Sequence, residues 1–369
     1  MKTICITGAA GYVGAMLVER FSLRDDVGTI VGIDKEPLPE LLKGNAKLVW
    51  IQANLADLPV RQAGLSAGQA EGTWQEKLKV YAPQIIVHTA WQIREMYGKK
   101  SLQWKWNVEG SEAVFRFAFE TPGVERLIHF STASSYGAYT TNTLEHRFTE
   151  EEGFRDEEYL YAVEKKVAEE KLRALYEGAK ESAPQISVVR PAAITGPRGR
   201  FMRVRFGLQS ALSGQLRESF LHRVVSLLVS WVPATPLWCR QFIHEDDVVG
   251  ITELLSFAPQ AGRYEVFNIT PQGSPVLAHE MADAVGKKVL PIQPWMARIA
   301  FFFFWHVTRG KIPTSRGGWR FYSYPIVMDG TKITKLCGYA YRYFSGDAFR
   351  YTDGHYESYV PKEVRRSKK

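Results

Sequence analysis

The sequence predicts an α/β protein: a doubly wound parallel sheet with a smaller, mainly helical C-terminal lobe. Three observations predict it. Short, wholly apolar runs alternate with longer amphipathic stretches through the first half. The first of these runs leads straight into a glycine-rich turn that opens a helix. Beyond residue 195 the alternation stops, and Arg, Trp, Phe and Pro become frequent.

Taken in order, Lys2–Thr7 reads as a strand and Tyr12–Ser22 as a helix. Thr29–Asp34 and Lys47–Gln52 are strands. Trp74–Tyr81 is helical, and Pro83 marks the turn into strand Ile85–His88. Leu102–Glu120 is a long helix, followed by strand Arg126–Ser131. Glu158–Glu177 is a second long helix and Ile186–Arg190 a strand. Order returns twice later, at Arg240–Val249 and at strand Tyr264–Ile269. The expected division is a sheet domain of residues 1–195, rejoined by 240–270, and a lobe of 196–239 and 271–369.

The chain has 369 residues, 45% hydrophobic and 23% charged, enough to bury a large core unaided. Its three cysteines, Cys5, Cys239 and Cys337, lie far apart, which excludes a disulfide scaffold and a cysteine zinc site and fits a reducing, cytoplasmic setting. None of the eight histidines has metal-ligand spacing, so no metal is expected. Nothing points to nucleic-acid readout. Residues 191–369 carry 24 Lys and Arg against 13 Asp and Glu, whereas residues 1–190 carry 23 against 26. The basic half reads mainly as a solvated face, with an anionic ligand as the sharper alternative. No signal peptide is visible at the start of the sequence. The run Ile299–Val307 is too short to span a bilayer, and Val224–Trp238 is interrupted by Ser226, Ser230, Pro233 and Pro236. The segment Trp295–Arg309 suits either a buried lobe helix, which is the expectation, or reversible contact with a membrane surface.

The turn after the first strand reads Gly8-Ala-Ala-Gly11-Tyr12-Val13-Gly14. Glycines there allow a tight turn, close approach of a pyrophosphate, and tight helix–strand packing. The helix N-terminus then offers free N–H groups to the phosphates. Asp34 follows Gly14 by twenty positions and ends the second strand. A carboxylate there accepts hydrogen bonds from the adenosine ribose and repels a 2′-phosphate, which selects NAD over NADP.

Tyr161 and Lys165 are four apart on one helix face. Beside an oxidised nicotinamide, the lysine ammonium favours tyrosinate, so the phenol can exchange a proton with a substrate alcohol. Val163 follows Tyr159 by four, so Tyr159 lacks such a partner. Alone, this spacing describes any amphipathic helix. Upstream, the strand Arg126–Phe130 runs into Ser131-Thr132-Ala133-Ser134, where a hydroxyl can join the relay.

The ordered set TGAAGYVG, Asp34, HTA at 88–90, NVEG at 107–110, FSTASSYG, Tyr161xxxLys165, RPAAITGP at 190–197 and RQFIHEDDVV at 240–249 resembles the extended short-chain dehydrogenase/reductases. Within them it is most similar to the NAD-dependent epimerase/dehydratase group, over roughly residues 1–270. The resemblance implies a Rossmann-type sheet domain that binds the dinucleotide, a C-terminal substrate lobe, and a triad of Thr132, Tyr161 and Lys165, with Ser131 and Ser134 as substitutes for Thr132. It implies NAD contacts from Gly8, Gly11, Tyr12, Val13, Gly14, Asp34, Asn54, Leu55, Ala90, Asn107, Tyr161, Lys165 and Pro191. Ser134 and Arg240 would meet substrate, Arg240 at a diphosphate. His244 would be structural, and a homodimer is expected. Three departures stand out: Asn54 replaces an aspartate that meets adenine, Trp91 follows His88-Thr-Ala where a smaller residue is common, and Ala193 replaces an asparagine frequent in sugar-nucleotide enzymes. Three functions follow: an enzyme of nucleotide sugars, a 3β-hydroxysteroid dehydrogenase-like enzyme of hydrophobic alcohols whose site is lined by Trp231, Trp238, Trp295, Phe301–Trp305 and Trp319, or a non-catalytic dinucleotide sensor.

Overall fold

The computed structural model describes residues 1–57, 72–202, 231–259, 262–284 and 286–368. Residues 203–230 of the expected lobe, and with them the first part of the Val224–Trp238 stretch, lie outside the described residues.

Seven parallel strands form the main sheet. They are β1 (Lys2–Thr7), β2 (Val27–Asp34), β3 (Leu48–Gln52), β4 (Ile85–His88), β5 (Arg126–Phe130), β6 (Gln185–Pro191) and β11 (Tyr264–Ile269). Their order is β3-β2-β1-β4-β5-β6-β11, so the order of strand addition reverses between β1 and β4. A crevice opens at such a switch point, beyond the C-terminal strand ends. The apolar runs of the sequence are buried on both faces. Ile4 and Ile6 join one core with Val87 and Ile128, while Cys5 joins the other with Ile86 and Leu127.

The helices are α1 (Tyr12–Ser22), α2 (Trp74–Lys79), α3 (Lys100–Trp104), α4 (Gly110–Glu120), α5 (Leu160–Gly178), α6 (Pro197–Met202) and α7 (Glu245–Phe257). A capping box of Thr73 and Glu76 starts α2. The long helix expected over 102–120 is divided: a π-turn at Lys105–Glu109 separates α3 from α4. Helix α5 begins at Leu160, later than expected, because Asp156 Oδ1 accepts the N–H groups of Glu158 (3.0 Å) and Tyr159 (2.7 Å) in a turn.

After β6 the chain forms β7 (Ala193–Thr195), which pairs in parallel with β10 (Phe242–His244). Two further small sheets pair β8 (Trp231–Ala234) with β13 (Lys288–Pro291), and β9 (Cys239–Arg240) with β12 (Val276–Leu277). Helices α8 (Ala278–Ala284), α9 (Pro294–Val307) and α10 (Gly318–Ser323) surround a lobe core containing Trp238, Phe242, Val276, Met281, Ala297 and Tyr322. α11 (Thr331–Cys337) and α12 (Ser345–Arg350) complete the chain.

One expectation is corrected here. The helix within Trp295–Arg309 is not a buried lobe helix: only Ala297 and Trp305 of α9 are buried. An all-round apolar sequence cannot reveal which side meets the core, and here most of it faces outward. Trp231 and Trp295 are exposed as well, whereas Trp238 is buried.

Candidate active site

At the turn between β1 and α1, Gly8 has φ +73°, and a Cβ on it would lie 2.6 Å from the Cα of Ala90 on the neighbouring loop. A Cβ on Gly14 would fall 2.2 Å from the carbonyl oxygen of Gly8. Both positions therefore require glycine. The N-terminus of α1 has no side-chain cap, so its leading N–H groups and dipole remain available to a ligand.

The crevice holds a cavity of about 570 Å³. Its wall includes Gly8, Gly11, Tyr12, Val13, Gly14, Asp34, Asn54, Leu55, Ala90, Asn107, Thr132, Ser134, Tyr161, Lys165, Pro191 and Arg240, whereas Trp231, Trp238, Trp295, Phe301–Trp305 and Trp319, expected to line a site for a hydrophobic alcohol, do not line it. Asp34 braces the glycine loop, its Oδ2 accepting Ala10 N–H at 3.0 Å and its Oδ1 accepting Glu36 N–H at 3.0 Å. Burial raises its pKa, with those bonds acting against the shift. Lys35 does not pair with Asp34: its ammonium lies 4.2 Å from the Trp106 ring centre and 3.7 Å from Glu36. Asn54 Oδ1 accepts the N–H of Ala56 at 3.1 Å. A glycine cradle without room for Cβ atoms, an uncapped helix end and a carboxylate at the β2 terminus fit a dinucleotide.

At the other end of the cavity stand Thr132, Tyr161 and Lys165. Thr132 is buried, and its Oγ1 accepts Ser134 N–H at 3.2 Å, which fixes the turn after β5. Ser131 Oγ beside it is buried without a hydrogen-bond partner among the described residues. The Lys165 ammonium donates to the carbonyl oxygen of Phe130 and lies 3.5 Å from the centre of the Trp91 ring. Trp91 thus faces the cavity as a lid over the lysine, a cation–π contact. Burial pushes the Lys165 pKa well down, opposed by the carboxylates of Glu169 and Glu164.

A polar network lies behind these groups. Asn107, on the π-turn, accepts Gln92 N–H at 2.7 Å and donates to Gln92 O at 3.0 Å and Glu164 Oε2 at 2.7 Å. Gln103 also donates to Glu164 Oε2, at 3.1 Å. Glu164 Oε1 has no partner among the described residues, and burial pushes this carboxyl up to about 7. Asn107 therefore holds the loop after β4 at the cavity wall, in addition to lining it.

Arg240 enters from β9. Tyr159 and Tyr322 are its electrostatic neighbours, and burial lowers its pKa. It has no carboxylate partner among the described residues. Tyr159, which the spacing set aside as an acid, packs against Phe321 at 4.7 Å between ring centres and lines the same cavity. Phe321, Ile326 and Met328 add an apolar wall from distant parts of the chain.

The acidic run after β10 is structural. His244 caps α7, its Nδ1 accepting Asp246 N–H at 3.1 Å. Glu245, fully buried, accepts the hydroxyl of Tyr12 and the N–H groups of Arg198 and Gly199, each at 2.9 Å. Arg198, fully buried, donates to Glu19 on α1. Asp247 accepts Tyr339 OH at 2.9 Å and Arg342 N–H at 3.0 Å.

The sequence pattern of the NAD-dependent epimerase/dehydratase family matches residues 4–270. No curated protein matches the chain. Among solved structures, the chain is similar to the Bordetella bronchiseptica enzyme WbmG in complex with NAD and UDP, with 21% identity, a TM-score of 0.64, and 94% of this chain and 91% of that one covered. It is similar to the UDP-glucuronic acid 4-epimerase of Bacillus cereus in complex with UDP-glucuronic acid and NAD (18% identity, TM-score 0.64, 94% and 96% covered). It also resembles the dTDP-glucose 4,6-dehydratase of Bacillus anthracis in complex with NAD (15%, 0.64, 95% and 95%). At such identities the likeness is one of fold. The family pattern spans the whole seven-stranded sheet and the crevice at its switch point, and the chain belongs to the NAD-dependent epimerase/dehydratase family, as an NAD-dependent enzyme of the extended short-chain dehydrogenase/reductase type.

Proposed function

We propose that the enzyme acts on a nucleotide sugar, using Tyr161 as acid/base with Lys165 and Thr132 as its partners. The observation that carries this reading is Arg240: a cavity-lining guanidinium beside two tyrosines, with no carboxylate partner among the described residues. A half-buried, cavity-lining cation without a carboxylate partner among the described residues favours an anionic ligand, and a guanidinium fork matches phosphate oxygens in pairs. The solved relatives bound to UDP or UDP-glucuronic acid support the same substrate class.

NAD, when bound, supplies the hydride acceptor. Tyr161 takes the proton of the substrate hydroxyl, and returns it in the reverse direction. The Lys165 ammonium favours tyrosinate, and the Thr132 hydroxyl donates to the substrate oxygen, with Ser134 beside it. The glycine loop and Asp34 hold the adenosine end with Asn54 and Leu55 at the adenine, Ala90 lines the groove, and Pro191 lies beside the nicotinamide. Free, buried Cys5 and Cys239 accord with work in a reducing cytoplasm, where a homodimer is the expected state.

Arg240→Ala tests the reading. Loss of a charge-assisted hydrogen bond to phosphate costs about 1.5–3 kcal/mol, roughly ten- to hundredfold in affinity. The KM for a UDP- or dTDP-sugar should rise by that factor with NAD affinity unchanged. Turnover of an uncharged alcohol or ketone, unaffected by Arg240→Ala, with no response to nucleotide sugars, would overturn it in favour of a hydrophobic substrate.

A further inference from the structure

We propose that α9 is a docking helix for the surface of an anionic lipid bilayer. The helix turns two unlike sides to its surroundings. Ala297, Phe301 and Trp305, spaced by four, face the lobe: Ala297 and Trp305 are buried, and Phe301 packs against Tyr322 at 5.7 Å between ring centres. On the other side Trp295, Ile299 and Phe303, also spaced by four, are 62%, 60% and 57% exposed, and Phe302 and Val307 beside them are 69% and 64% exposed. A contiguous apolar face of this kind marks an interaction surface.

Charge identifies the occupant. From residue 284 to residue 328 the sequence contains no Asp or Glu and seven Lys and Arg, five of them between Arg298 and Arg320. Alongside the helix runs a groove of about 1140 Å³, into which Arg298, Phe302 and His306 face Lys99, Lys100 and Arg316. Its two acids are already engaged: Glu95 lies 3.5 Å from Lys100, and Glu158 3.4 Å from Arg320. Lys99, Arg298 and Arg316 have no carboxylate partner among the described residues. Exposed aromatic and branched side chains rimmed by unpaired cations match the boundary between acyl chains and phosphate headgroups. At 14 residues the helix is about 21 Å long, shorter than the ~30 Å hydrocarbon core, so it lies in the interface. Glu158 and Arg320 line this groove while their chain neighbours Tyr159 and Phe321 line the catalytic cavity, so docking sets the active site beside the membrane.

The test is flotation of the purified full-length protein with vesicles of phosphatidylcholine alone, or with about one third phosphatidylglycerol. Binding to the mixed vesicles at low salt is expected, at least tenfold weaker on phosphatidylcholine alone and at about 0.5 M salt. The double variant Ile299→Glu, Phe303→Glu should lose at least tenfold in vesicle affinity while its unfolding midpoint and NAD affinity match the wild type. Arg309→Glu with Lys311→Glu should weaken binding to mixed vesicles selectively. Absence of binding to mixed vesicles, or undiminished binding by the Ile299/Phe303 variant, would overturn the proposal. So would a dimer that the Ile299/Phe303 variant disperses while neither protein binds vesicles, since the face would then belong to a second copy of the chain.

Discussion

Replacing Glu164 by glutamine should make the protein's stability less sensitive to pH. Glu164 is fully buried, and its ordinary pKa of 4.5 is pushed up to about 7 by loss of hydration, despite the amides of Asn107 and Gln103 on Oε2. In the unfolded chain this carboxyl ionises near 4.5, and in the folded chain near 7. Between those values the folded protein keeps a proton that the unfolded chain has lost, so raising the pH removes stability. Below the window both states are protonated and the residue contributes nothing to the slope. Above it the loss is complete, on the order of 3 kcal/mol. Glu164→Gln retains an oxygen for the two amides and places its NH₂ where Oε1 has no partner, at a cost independent of pH. Unfolding midpoints of both proteins at about pH 5, 6, 7 and 8 give the comparison, in which every other titrating group cancels to first order. Repeating it in a Lys165→Met background removes the adjacent ammonium from both. The variant should gain on the wild type as the pH rises, by several degrees across the series. Parallel curves would refute a buried, proton-holding Glu164.

Tyr161→Phe should remove nearly all turnover, at least a hundredfold, while NAD affinity measured by titration stays within about twofold, because only the phenolic proton is lost. Near-normal activity would exclude Tyr161 as the acid/base. If Asp34 faces the 2′ position as proposed, Asp34→Ala should narrow a preference for NAD over NADP; paired binding titrations check this, and an unchanged ratio would remove Asp34 from cofactor choice.

The sheet was legible because its strands are local events. Each is a continuous apolar run bounded by turn residues, and six of the seven begin and end within one residue of the expected positions. The glycine loop was legible because sterics at Gly8 and Gly14 leave no alternative residue. The π-turn at Lys105–Glu109 was not, since its residues would serve equally well in a continuous helix. Nor was the bond from Tyr12 to Glu245, which joins positions 233 apart and leaves no periodic trace. Trp91 was noticed as an oddity of size, but its contact with Lys165 depends on how β4 and α5 approach each other. Helix α9 was anticipated in place, but its expected burial was wrong. When both sides of a helix are apolar, periodicity carries no information about which side is covered.

The bonded set of half-buried Tyr12 and Glu19 with fully buried Arg198 and Glu245 has a bearing on how the chain can be recombined. Chimaeras between relatives are commonly spliced where a nucleotide-binding half appears to end, which here would be close to residue 195. A crossover there leaves Tyr12 and Glu19 with one parent and Arg198 and Glu245 with the other. Any mismatch strands a carboxylate or a guanidinium in the interior, behind the first helix of the cofactor loop. Viable hybrids should therefore inherit all four positions from a single parent, even when the exchanged segment is meant only to alter what the lobe recognises.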